Sequence, residues 1–481
     1  MLIQESHNET KAIKSLILGG GGIRVAYQVG VLKALEEEGL EFNHVDGTSG
    51  GIFNAAMLAS GQQVDDLRNN WIRLNLAHFV SPVRFWDYLT PWKLKGMGDT
   101  DAIRTKVLPH FQIRMDTIRE KGLPITFSLC NYSKKVVQAI PTKDLHENHL
   151  LAGISLPIVM PALKVSDEWF IDAVWIKDAH LMEAVRRGAE EIWVIWGIGN
   201  HSDYLSGALN QYVHSIEMSA NGALWEEFEQ IKWINKGIQR GESEFGQQRP
   251  IEVHLIHPPL PLPLDPDLFF HKITSRDLIN MGYQDAKKYL SDIPEAGAQL
   301  NEGLTSTPAI GNYLGFRLQF SGELAWKEKV DRVTMYVFLR YADLPENGRM
   351  DVFTSLFIAH LDREYSGFET RFRRKTNASG LFIYEIETSM MIENRVCLVV
   401  ARFRANSPWH WMLGMDFKEL ELVLYLKGDV DLEIAMEGTL FQSFASRIKG
   451  FWRALAKKSD GAGGGIGFKF KMLKKMLYNE V

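Results

Sequence analysis

Leu16-Ile17-Leu18-Gly19-Gly20-Gly21-Gly22-Ile23-Arg24 is followed, a short way on, by His44-Val45-Asp46-Gly47-Thr48-Ser49-Gly50-Gly51. Each stretch reads as a short apolar strand running into a glycine-rich corner. Ala12–Leu18 is the first strand, and Arg24–Glu38 is the helix after it. Ala26, Val29, Leu32, Ala34 and Leu35 fall at helical spacing along that helix, and Gly39 stops it. Phe42–Asp46 is the second strand, and Ile52–Ser60 is the helix beyond its corner. Two strands each followed by a helix predict parallel pairing through crossovers.

The same alternation continues. Ile125–Cys130, Val136–Ile140, Ile192–Trp196 and Ile251–Ile256 read as strands, and Ala179–Arg187 and Gln211–Lys236 as helical runs among them. The expectation is an α/β fold, a mostly parallel sheet covered by helices. Near residue 292 the pattern changes. Residues 293–311 are rich in Gly, Pro, Ser, Thr and Asn, as a linker is. Leu314–Phe320, Val333–Tyr341, Val352–Ala359, Leu381–Ile386, Val396–Phe403, Glu419–Leu426 and Val430–Met436 are β-type runs. Glu419-Leu420-Glu421-Leu422 alternates with period two, which predicts an antiparallel sheet wet on one face. The expected organisation is an α/β domain over 1–292, a linker over 293–311, a β-rich sandwich or barrel over 312–440, and a cationic amphipathic helix and tail over 441–481. In the tail, Phe444, Ile448, Phe451, Trp452 and Leu455 keep helical spacing among Arg447, Lys449, Arg453, Lys457 and Lys458. Such a segment can lie on an anionic membrane surface, or pack on the β domain with its charges in water.

With 46% hydrophobic and 23% charged residues, the 481-residue chain has the composition of a folded globular protein. A net charge of −5 gives no reason to expect a nucleic-acid partner. Cys130 and Cys397, the two cysteines, offer neither a disulfide framework nor a thiolate metal site. Residues 1–14 carry no apolar signal core, and no apolar run approaches the roughly 18 residues of a membrane span. The expectation is a cytoplasmic protein, at most peripheral on the inner face of a membrane.

Gly47-Thr48-Ser49-Gly50-Gly51 is a G-x-S-x-G pentapeptide. Such a serine occupies a cramped strand-to-helix corner with its hydroxyl exposed at a helix start. Gly47, Gly50 and Gly51 supply the room. Gly20, Gly21, Gly22 and Ile23 supply consecutive unhindered amides, which suits an oxyanion hole. A dinucleotide fingerprint counted from Gly19 puts Arg24 at its third glycine, and no Gly-Lys-Ser/Thr loop is present. The serine needs a base. His254 and His257 end a strand candidate and are open as triad members, while His44 lies too close to Ser49 along the strand. His180, His201 and His214 have no catalytic context. The other option is Asp172, a lone carboxylate in the apolar run Trp169-Phe170-Ile171-Asp172-Ala173-Val174, which can take the serine proton directly. Phe79, Phe85, Trp86, Tyr88 and Trp92 form an aromatic insert that is either core or a lid at the site.

Four blocks together resemble the patatin-like phospholipase family. They are Leu18–Leu32, Gly47–Gly51 with Asn54 and Ala55, Ser155-Leu156-Pro157-Ile158-Val159-Met160-Pro161-Ala162, and Phe170-Ile171-Asp172-Ala173. The resemblance spans about residues 12–290. It implies a Ser49–Asp172 dyad without histidine, an oxyanion hole from the Gly20–Ile23 amides, and hydrolysis of a lipid or phospholipid ester with no metal, nucleotide or organic cofactor. Arg24 is expected to organise the glycine loop or meet a phosphate. Val25 stands where the family has glycine, and Ala173 where it has glycine after the aspartate. Two further readings are a transacylase working through the same acyl-enzyme and a lipid-binding membrane adaptor.

Overall fold

The computed structural model describes residues 2–3, 12–79, 81–326, 329–344, 347–376, 382–405, 410, 416–427, 432–459 and 462–478. Leu381 and Val430, where two expected strands begin, lie outside them, as do Gly461 and residues 479–481 of the tail. The chain divides into two compact units. One comprises 1–202, 207–269 and 289–307; the other comprises 203–206, 270–288 and 308–481.

The first unit is built on strands β1 (Lys14–Leu18), β2 (His44–Thr48), β3 (Ile125–Asn131), β4 (Val136–Pro141), β5 (Leu163–Val165), β6 (Glu168–Ile171), β7 (Glu191–Ile195) and β8 (Glu252–Ile256). They form one sheet in the order β5-β6-β3-β2-β1-β7-β8, with β4 also on β3. The five strands β3, β2, β1, β7 and β8 run parallel, and β4, β5 and β6 pair antiparallel. β1, β2 and β7 are almost wholly buried, as strands covered on both faces are. The helices Ala26–Glu37 and Gly51–Ala59 follow β1 and β2 as the sequence predicts. Phe53 on the latter packs edge-on against Trp71, Phe79 and Phe111, which fastens the helix behind the serine corner.

Beneath that corner lies a closed polar network. Asp46 accepts from Thr126 Oγ1 (2.5 Å) and Ser128 Oγ (3.0 Å), Ser128 also meets His180 Nδ1 (3.0 Å), and His44 Nε2 meets Thr126 (2.8 Å). Burial pushes the Asp46 carboxyl up to about 8, and burial, foremost among several effects, pushes both imidazoles down to about 3.

In the second unit β9 (Tyr313–Trp326), β10 (Lys329–Asp343), β11 (Gly348–Ile358), β12 (Arg363–Thr376), β13 (Phe382–Ile392), β14 (Arg395–Ala405), β15 (Glu419–Lys427) and β16 (Leu432–Phe441) pair antiparallel in chain order. β16 returns to β9 through Phe441 and Ser321, so the sheet closes into a barrel rather than a sandwich. Leu314, Phe316, Leu318 and Phe320 alternate into its core, as do Val333, Met335, Val337 and Leu339. The helix Ser275–Leu290 belongs here up to residue 288. Its Asn280 bonds Ser355 and Ser366 at 3.1 and 2.7 Å, and its Tyr283 meets Phe368 edge-on.

The tail is partly core. After the helix Phe444–Trp452, β17 (Leu455–Lys457) pairs with β9, and Met472, Leu473, Met476 and Leu477 join the barrel core. Phe444 and Trp452 stay exposed. No helix among the described residues is long and apolar enough to cross a membrane.

Candidate active site

β2 delivers Ser49 to its corner with φ at 50°, a left-handed conformation that a side-chain-bearing residue holds only under constraint. The constraint is the packing of the next helix against β1. A Cβ on Gly51 would collide with the Leu18 carbonyl oxygen, and one on Gly47 would stand 2.6 Å from the Ala55 Cβ. Glycine at these two positions lets the helix approach the strand closely enough to force the turn.

The antiparallel hairpin β5–β6 carries Asp172, just past Ile171, to the same place. Its Oδ2 accepts the Ser49 hydroxyl at 2.7 Å, and its Oδ1 accepts the Val174 amide at 2.9 Å. Its own amide donates to the Ser155 carbonyl at 3.2 Å, tying the proline-containing segment to the aspartate. Asp172 is fully buried, and burial pushes its carboxyl up to about 7 against the lowering pull of those two hydrogen bonds. The histidines are engaged elsewhere. His254 stacks on Trp193 and meets Tyr289, His257 faces its neighbour's carbonyl, and His180 and His44 sit in the network below. Among the described residues no imidazole touches the Ser49 hydroxyl.

The glycine loop passes over the serine. Gly20 donates its amide to Asp178 Oδ2 at 2.9 Å, and Ile23 donates to Asp265 Oδ1 at 3.3 Å. These two amides are therefore occupied by carboxylates. Gly21 and Gly22 have no amide acceptor among the described residues, and both take positive φ, 142° and 61°. Arg24 folds back so that its Nε donates to the Gly21 carbonyl at 2.9 Å, which braces the loop. Val25 is buried, and its carbonyl accepts Asn54 Nδ2 at 3.0 Å; Asn54 in turn accepts Trp71 Nε1 at 2.8 Å. Ala173 is not among the positive-φ residues, so its methyl group costs the Asp172 turn nothing.

Asp178, which flanks the Asp172 run and reads in the sequence as an exposed helix N-cap, is buried instead and turned to the glycine loop. It lies at a turn six residues past Asp172, where a helix-capping role is the ordinary expectation. Its Oδ1 is buried without a hydrogen-bond partner among the described residues. Burial first, then the Asp172 charge, holds its carboxyl well above the usual carboxylate range. Asp178 clasps the Gly20 amide, and its raised pKa disfavours a second negative charge beside Asp172. Asp178→Asn is isosteric and keeps that acceptor, so ester turnover should stay near wild type. Asp178→Ala frees the loop and should lower kcat/KM about tenfold, the worth of one buried hydrogen bond. Equal rates for both variants would show that the clasp does not matter.

A cavity of about 330 Å³ opens from Ser49 and Asp172, walled by apolar side chains including Phe53, Ile103, Leu156 and Met160. Tyr88 and Met97 stand on its wall, joined by a hydrogen bond from the Tyr88 hydroxyl to the Met97 carbonyl. Of the aromatic insert, Phe79 is core, whereas Phe85, Trp86 and Trp92 are more than 70% exposed. His201, His214 and Glu217 each bring a ligand atom within 4.8 Å of the others and could hold a metal ion, but none of them lines this cavity.

Residues 16–184 match the family described as patatin-like phospholipase. These residues form a patatin-like phospholipase domain. The chain is 53% identical over 49 residues to a lysophospholipase nte1 of Aspergillus terreus, covering 10% of this chain and 3% of that protein. It is 25% identical over 215 residues to the lysophospholipase NTE1 of Debaryomyces hansenii, covering 40% and 13%. The chain thus spans a small part of the length of these curated relatives. Among solved structures, VipD from Legionella pneumophila aligns over 58% of this chain and 67% of its own, at 12% identity and a TM-score of 0.32.

Proposed function

We propose that the chain is a lipid acyl hydrolase, a phospholipase A-type esterase, in which Ser49 is the nucleophile and Asp172 its base. The observation that carries this reading is the 2.7 Å hydrogen bond from the Ser49 hydroxyl to a buried carboxylate, at the foot of an apolar cavity. Asp172 takes the hydroxyl proton as Ser49 Oγ adds to the acyl carbonyl. The tetrahedral oxyanion meets the Gly21 and Gly22 amides, with the Gly20 and Ile23 amides holding the loop through Asp178 and Asp265. Collapse breaks the ester C–O bond, and Asp172 returns the proton to the leaving alcohol. Water, deprotonated by the same carboxylate, then releases the acyl group and restores Ser49. The chemistry calls for no cofactor. Transfer to an alcohol acceptor would use the same acyl-enzyme, and product analysis with an added acceptor lipid separates the two.

The exposed Phe85, Trp86 and Trp92, on the same segment as the cavity-lining Tyr88, fit contact with a lipid surface, since exposed aromatic patches of this kind favour an apolar partner. Trp86→Ala combined with Trp92→Ala should lower hydrolysis of vesicle phospholipid about tenfold, given the apolar area each indole buries. The rate on a soluble short-chain ester should not change. An equal loss on both substrates would reject interfacial contact.

The nine Lys and Arg against one acidic residue over 441–478, with exposed Phe444 and Trp452, support an anionic membrane surface as a partner. Because Met472 to Leu477 are barrel core, that idea is tested by charge substitution rather than by deleting the tail.

A further inference from the structure

The barrel unit contains a cleft of about 190 Å³ into which Arg276, Arg317, Lys449 and Arg453 converge. Asp277 is the one carboxylate on its wall. That carboxylate is already engaged: Thr274 donates its amide and its hydroxyl to it at 2.8 and 2.7 Å, and Arg317 pairs with it at 3.6 Å. Arg276 is paired with Glu364 at 2.9 Å and lies 3.8 Å over the Tyr336 ring. Lys449 and Arg453 have no ion-pair partner among the described residues. They project one turn apart from the helix Phe444–Trp452 and its C-cap, on the face that also presents Ser446.

This convergence is built. A Cβ on Gly450 would stand 3.0 Å from the Arg317 carbonyl oxygen, so glycine lets the helix lie close upon β9 and sets Lys449 and Arg453 beside Arg317. Like charges gathered in a concave site repel one another unless an anion is added. His271 senses the surplus: after burial, Arg453, Arg317 and Lys449 are what hold its imidazole below the usual range.

We propose that this cleft binds a phosphate group, either free or on a phospholipid head. Its cavity suits an ion of that size, arginine forks match phosphate oxygens in pairs, and the Ser446 hydroxyl adds a neutral donor. The inference is independent of Ser49 chemistry and is tested in full-length Ser49→Ala protein, where lipid is not consumed.

Inorganic phosphate should raise the melting temperature by more than chloride at equal ionic strength, because it binds only the folded state. Lys449→Gln with Arg453→Gln, both exposed positions, should abolish that difference while keeping the melting temperature in chloride. In the unsubstituted cleft, phosphate should also move the His271 titration, followed by NMR, upward. No advantage of phosphate over chloride, or an advantage that survives in the double variant, overturns the proposal. Vesicles containing phosphatidic acid then distinguish the sources. Vesicle binding that free phosphate displaces and the double variant loses assigns the site to a lipid head group. Phosphate binding without such vesicle binding assigns it to the free ion.

Discussion

Ser49→Ala and Asp172→Asn should each lower hydrolysis of a nitrophenyl acyl ester by a factor on the order of 10³ or more. The two lesions differ in kind. Alanine removes the attacking oxygen, whereas asparagine keeps the shape of the side chain, its carbonyl accepting the Val174 amide and its NH2 donating to Ser49 Oγ. An amide cannot take up the proton, so a hydrogen bond survives and the base does not. Both variants should fold, because Ser49 is held by backbone packing around Gly47 and Gly51 rather than by its own hydroxyl. A fluorophosphonate probe should label the parent chain and not Ser49→Ala. Near-parental turnover by either purified variant would remove Ser49 and Asp172 from the mechanism, and a failure to label Ser49 would favour the adaptor reading.

The second large effect is on pH dependence. Burial places the Asp172 carboxyl at about 7, and only its ionised form can act as base. Below that value kcat/KM should fall about tenfold per pH unit, which is about 100-fold by pH 5. A rate that stays flat down to pH 5 would mean an ordinary carboxylate and would defeat this account.

The same shift has a consequence for stability. A carboxyl whose pKa is raised by folding binds its proton more tightly in the native state. Its contribution is therefore present below the unfolded value near 3.8 and is lost as pH rises through about 7. Buried His44 and His180, with lowered pKa values, act in the opposite sense over part of that range. The difference between Asp172→Asn and the parent isolates the one group. The variant should gain melting temperature relative to the parent as pH rises from about 4 to about 7. A gain that shrinks across this window would contradict the sign. Above pH 7 the ionised Asp172 is thus held at a cost to the domain.

The parallel core was legible because its strands are short, apolar and punctuated by glycine. β1, β2, β7 and β8 and the helices after the first two lie within a few residues of where periodicity puts them. β5 and β6 were not, since three- and four-residue strands in Leu163–Ile171 carry no period to read. β12 was missed for another reason. Arg363–Thr376 is heavily charged, and its outward positions are satisfied by partners distant in sequence, such as Arg276 on Glu364. The helix Ser275–Leu290 shows an amphipathic pattern, but nothing in that pattern says that residues 355, 366 and 368 are what it meets.

Local composition determined the serine corner, since glycines at positions 47 and 51 are needed wherever a helix must start against a strand, and that requirement is readable without coordinates. It also narrowed the base to a buried aspartate or a distant histidine. Only the tertiary structure shows which of these side chains meets Ser49, since Asp172 lies 123 residues away in sequence and yet 2.7 Å away in space. It alone showed that Asp178 and Asp265 occupy two of the four loop amides, leaving Gly21 and Gly22. A hydrogen bond's partner is set by distance and angle in space, and a sequence fixes those only for neighbours along the chain.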